Sequence, residues 1–123
     1  MTNYLKNSQI SKMNDASKLR LKFWGTRGSI PCPGPDTVRY GGNTSCFEIN
    51  YGDERIIIDA GTGIRLLGKK ILLEEENLLK ANLFFTHTHM DHIQGLPFFA
   101  PLYNPNSDVQ LFAGHLDGDN YDL

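Results

Sequence analysis

The chain has 123 residues, room for one domain around one core. With 12 Lys+Arg against 14 Asp+Glu and a formal charge of -2, it lacks the basic excess that signals stable nucleic-acid or membrane-surface binding. No stretch has the apolar length of a membrane span or a signal-peptide core, so a cytoplasmic protein without a membrane partner is expected.

Residues 1 to 18, polar and without periodicity, read as a flexible N-terminal tail. From Leu19 onward, Leu19, Leu21 and Phe23 alternate with Arg20 and Lys22 in the period of a strand, which Gly25 stops. The stretch GTRGSIPCPGPDTVRYGGN that follows is rich in glycine and proline, and a loop of that length in a compact domain is more often functional than idle. Next come two strands, TSCFEINY and RIIIDA, joined as a hairpin through GDE; three successive isoleucines predict burial of the second on both faces. Gly61 and Gly63 turn the chain into a helix with an apolar stripe of Ile64, Leu67, Ile71 and Leu78, while Arg65, Lys69 and Glu75 point away. Then NLFFT predicts a buried strand, DHIQGLPFFAPLY a short helix interrupted at Pro97, and VQLFA a last strand. Strands alternating with helices indicate a mixed α/β layer fold. Cys32 and Cys46, far apart and without C-x-x-C spacing, suggest neither a disulfide framework nor a thiolate zinc site; Cys46 lies in the strand pattern as a small core residue.

Three of the 4 histidines, His87, His89 and His92, fall together with Asp91 in THTHMDH. His87 and His89 are two apart, so on an extended segment their side chains point the same way and can grip one ion. Asp91 and His92 come where the chain turns toward a helix, which can bring a carboxylate and a third imidazole to the other side of the same space, large enough for two ions. Imidazole with carboxylate and no thiolate suits zinc first, with manganese or iron as alternatives. Such ions lower the pKa of bound water to about 7, and a pair roughly 3.5–4 Å apart can also hold charge developing on a phosphoryl oxygen. That is hydrolytic chemistry without a protein nucleophile. Capping and hydrogen bonding in a polar loop would explain a lone histidine, but explain four such groups together poorly.

At H-x-H-x-D-H the chain resembles the metallo-β-lactamase fold superfamily. The resemblance implies the first half of an αββα sandwich, a mixed sheet with flanking helices, and a site for two divalent ions. His87 and His89 then correspond to ligands of the first ion and Asp91 and His92 to ligands of the second, with Asp91 also orienting the nucleophilic water. Asp59, in IIIDAGTG, matches the strand-end aspartate that supports the metal loop without binding metal; a turn role is the local alternative. FWGTRGSIPCPGPDTVRYGGNTSCFEI is similar to the opening of the ribonuclease Z and cyclic-nucleotide phosphodiesterase branch. That similarity implies hydrolysis of a small-molecule or nucleotide phosphodiester by a metal-bound hydroxide. Arg27, Arg39 and Asn43, in the segments similar to that branch, are candidate substrate-binding residues: the arginines can offer guanidinium forks to a phosphate, with loop-stabilising ion pairs as the alternative. Thioester or lactam hydrolysis on the same fold, and a non-catalytic metal-binding or interaction fragment, are the rival readings.

The resemblance runs from about Leu21 to Ala113 and covers the N-terminal half of a superfamily domain, so residues 19 to 123 are expected to be a truncated domain. The second half would supply a third histidine for the first metal, a bridging aspartate and a further histidine. His115 sits in no matching context, and Asp117, Asp119 and Asp122 lack the spacing of a calcium loop. Half a sandwich leaves an apolar sheet face open, so self-association, or covering by the missing C-terminal half, is expected.

Overall fold

The computed structural model describes residues 18–74 and 79–114. The expected tail up to residue 17, Glu75 and Leu78 of the helical stripe, and His115, Asp117, Asp119 and Asp122 lie outside the described residues.

One sheet of five strands runs in sequence order: β1 (Arg20–Gly25), β2 (Cys46–Tyr51), β3 (Glu54–Ile58), β4 (Lys80–Phe84) and β5 (Asp108–Phe112). β1, β2 and β3 pair antiparallel, whereas β3, β4 and β5 pair parallel. The β2–β3 hairpin pairs Tyr51 with Glu54, leaving Gly52 and Asp53 as its two-residue loop. Gly52 takes φ 58 there, a left-handed conformation that glycine adopts without a Cβ clash.

The parallel pair requires a crossover, and α1 (Ile64–Glu74) provides it. Ile64, Leu67 and Ile71 are fully buried against the sheet with Ile57, Leu79, Ala81, Leu83 and Phe99, and Cys46 lies in the same core. Burial, reinforced by the Glu48 and Asp59 carboxylates, pushes the Cys46 thiol far up, so it is an inert core group. Glu48 itself is buried on this side; its Oε2 accepts the Trp24 indole N–H at 2.8 Å, and Arg55 Nε lies 3.1 Å from Oε1. A buried carboxylate needs such partners to offset its desolvation.

The opposite face of the sheet is apolar and open among the described residues. Phe23, Phe47, Ile58, Phe84 and Phe112 stand in register in one row across all five strands, and Leu21, Ile49 and Ile56 form the row beside it. Phe23 is 58% exposed, Phe84 38% and Phe112 40%. Two expectations therefore change. The isoleucines of β3 are fully buried only at Ile57, since Ile56 and Ile58 face the open side. The strand expected over 82–86 begins two residues earlier and is buried on one face only.

The segment after the histidine cluster is also not one helix broken at Pro97. α2 (Met90–Ile93) is a single turn, followed by 3₁₀ turns at Leu96–Phe98 and Ala100–Tyr103. The break falls at Gly95, which packs against Gly61; Pro97 lies inside the next turn, where its missing N–H leaves no bond unmade. Among the described residues, no helix is long and apolar enough to cross a membrane.

Candidate metal centre

β3 and β4 end side by side, with Ile58 opposite Phe84, and the chain beyond their C-terminal ends carries Asp59 and the segment Thr86–His92. That edge of parallel strands is where open α/β sheets place their ligand sites. Asp59 N–H donates to the Phe84 carbonyl at 2.8 Å, and Ala60 N–H to the His92 carbonyl at 2.7 Å, stitching the two loops together. The approach is close enough to require glycine on both sides. A Cβ on Gly95 would meet the Gly61 carbonyl oxygen at 2.0 Å, and one on Gly61 would meet the Asp91 carbonyl oxygen at 2.4 Å.

Asp59 is 1% exposed and adopts φ 61, a left-handed conformation that aspartate tolerates better than most residues. This turn aims its carboxylate under the histidine loop. Oδ1 accepts the Thr86 backbone N–H at 2.9 Å, and Oδ2 lies 2.8 Å from the Thr86 hydroxyl and 2.7 Å from His92 Nδ1. An ionised carboxylate only accepts, so His92 donates from Nδ1 and keeps its lone pair on Nε2. The Thr86 hydroxyl, its own proton given to Asp59, can accept from His87 Nδ1 at 3.0 Å, which leaves the His87 lone pair on Nε2 as well. A carboxylate behind an imidazole in this way fixes ring and tautomer for cation binding.

The rings of His87 and His92 lie 4.0 Å apart and those of His87 and His89 4.6 Å apart, the latter edge to face. Asp91 is buried at the head of α2, and its Oδ2 lies 3.3 Å from His92 Nε2. With the Nδ1 proton committed to Asp59, that contact sets a lone pair against a carboxylate oxygen, which calls for a proton or a metal ion between them. The Ser29 backbone N–H, 2.9 Å from Oδ2, is the main influence holding the Asp91 carboxyl below the usual carboxylate range. Burial opposes this shift, while its own amide, His92 and His89 add to it.

The structure thus brings His87, His89, Asp91, His92 and Asp59 together. Among the described residues no three His, Cys, Asp or Glu side chains converge as a metal-holding group. His92 is turned between two aspartates, and the first two histidine rings meet edge to face instead of aiming at one point. The donor types nevertheless fit a divalent cation, and His87, His89, Asp91 and His92 are the residues that would hold it.

Arg27 and Arg39 line one cavity of about 330 Å³ in the β1–β2 loop, which none of the three histidines or Asp91 lines. Asn43 does not line it; the Asn43 carbonyl accepts the Thr26 and Arg27 backbone N–H groups at 3.1 and 3.0 Å. Sequence reasoning missed Thr86, whose only signal was its place directly before the first histidine.

Residues 39–111 match a family model described as the metallo-beta-lactamase superfamily. The chain is 28% identical over 97 residues to a ribonuclease Z of Haloarcula marismortui, covering 79% of this chain and 28% of that protein. It is 33% identical over 79 residues to a ribonuclease Z of Haloferax volcanii, covering 64% of this chain and 22% of that protein. The chain thus spans roughly a quarter of the length of these curated relatives. A crystal structure described as a new diphosphatase from the PhnP family shares the fold, with a TM-score of 0.52 at 18% identity over 78% of this chain and 51% of that one.

Proposed function

The chain belongs to the metallo-beta-lactamase superfamily, and from that membership we propose that it contributes to a metal-dependent hydrolase acting on phosphodiester bonds. The observation that carries this reading is the gathering of His87, His89, His92 and Asp91 beyond the ends of β3 and β4, with Asp59 behind them. Likeness to ribonuclease Z proteins and to a diphosphatase supports phosphorus as the centre attacked.

Two divalent ions, zinc first and manganese or iron next, are proposed for the site; when bound they supply charge neutralisation and an acidified water. This chain's own residues supply orientation and proton handling. Asp59 keeps the lone pairs of His87 and His92 on Nε2, directly for His92 and through the Thr86 hydroxyl for His87. Asp91, kept ionised by the Ser29 N–H, is placed to orient an attacking water. A second reading, a non-catalytic metal-binding or interaction fragment, draws on donors that gather without three of them converging among the described residues.

The test is turnover of a bis-aryl phosphodiester and of an aryl thioester by this polypeptide, supplied in turn with zinc, manganese and iron(II). Metal-dependent phosphodiester cleavage that disappears in His89→Ala supports the proposal. Faster thioester cleavage assigns the other chemistry, and bound metal without turnover of either ester supports the second reading.

A further inference from the structure

The β1–β2 loop folds around the cavity of about 330 Å³ noted above, whose walls include Thr26, Arg27, Gly28, Asp36, Arg39 and Tyr40. Neither guanidinium is paired with a carboxylate among the described residues. Arg27 is half-buried, and its Nε–H is buried without a hydrogen-bond acceptor among the described residues. A buried charged donor in that state is costly unless something else accepts from it. Arg39 lies over the Tyr40 ring at 5.1 Å, which gives its guanidinium a platform beside the cavity. Gly28 is demanded neither by a left-handed φ nor by packing, since a Cβ there would meet no atom within 4 Å.

Arg27 is not free to drift from the histidine cluster. Its backbone forms a bridge with Thr44, and two residues on, Ser29 donates to Asp91. Two residues span at most about 7 Å, so the Arg27 backbone and the Ser29 amide that holds the Asp91 carboxylate belong to one short run of chain.

We propose that this cavity is an anion subsite that receives a non-scissile phosphate group of the substrate, with Arg27 and Arg39 as its donors. Two arginines and Asp36 give the cavity a net charge of +1. Guanidinium groups match phosphate oxygens in geometry as well as charge. The identification of the anion as phosphate rests on the phosphodiester reading of the neighbouring cluster; the existence of an anion subsite does not.

The experiment titrates the 123-residue chain with inorganic phosphate by calorimetry, at low ionic strength and with EDTA present so that no metal takes part. Saturable binding of one phosphate per chain is expected, and it should weaken about tenfold or more in Arg39→Gln or Arg27→Gln, as for loss of one charged hydrogen bond. Asp36→Asn should tighten it, because a like charge is removed from the wall. His89→Ala should leave it unchanged, which separates the cavity from the histidine cluster. Arg39 is exposed, so its variant tests the site even if Arg27→Gln fails to fold. Absence of saturable binding in the unaltered chain, retention of full affinity in Arg39→Gln, or loss of binding in His89→Ala would each overturn the proposal. None of these results depends on turnover, so the hydrolase reading stands or falls separately.

Discussion

At the scale of single residues, Asp59 has the widest influence on the site. It touches both the loop backbone at Thr86 and the ring of His92, and holds a left-handed φ to do so. Asp59→Asn keeps a side chain that tolerates this conformation but removes the carboxylate that fixes the His92 tautomer. Zinc affinity, measured by competition with a chromophoric chelator, should fall by about 10–100-fold, the usual cost of losing such a support. A variant with undiminished affinity would show that Asp59 shapes the turn and nothing more. The gathering of the residues of THTHMDH was legible in the sequence because four donors, three imidazoles and a carboxylate, lie almost contiguously. Ser29 and Thr86 were not, because their roles depend on backbone positions: Ser29 acts through its amide on a residue 62 positions away, and Thr86 through a carboxylate 27 positions away. Nothing in a serine or a threonine announces such a partner.

Among the elements, α1 and the hairpin were readable from periodicity and from the short GDE connection, since both are set by local pattern. The segment after the histidines was not, because tertiary contact overrides local preference there. Two loops must approach until Gly95 sits against the Gly61 carbonyl, and this ends α2 after one turn before Pro97 has any say. Gly95→Ala forces atoms together at 2.0 Å and should destabilise the chain by about 1–3 kcal/mol as overpacking does, read from urea midpoints. Gly34→Ala is the control: its Cβ would meet nothing within 4 Å, and it should change stability little. Equal effects of the two substitutions would show that the loops separate without cost.

At the scale of the whole molecule, the sequence pattern of β1 was correctly periodic yet ambiguous about side. Leu21 and Phe23 belong to the apolar face left open, while Lys22 on the other face lies 3.9 Å over the Trp24 ring. A five-strand sheet with two apolar rows uncovered among the described residues should not remain monomeric at high concentration. Light scattering on the eluting chain should show concentration-dependent association, and Phe84→Glu combined with Phe112→Lys should reduce it without lowering the helical signal. A monomer at all concentrations would mean that residues outside the described set cover the face. The stitching of the site has a further consequence in time. The contacts that define it join Asp59 to His92 across 33 positions and Ser29 to Asp91 across 62. Contacts of such long range close only after the intervening chain has been ordered, so they come late in folding. During synthesis the nascent chain would carry all its donors well before it could hold a cation tightly. Cation affinity would therefore rise only once the β3–β4 crossover was made and the histidine loop had packed on Asp59.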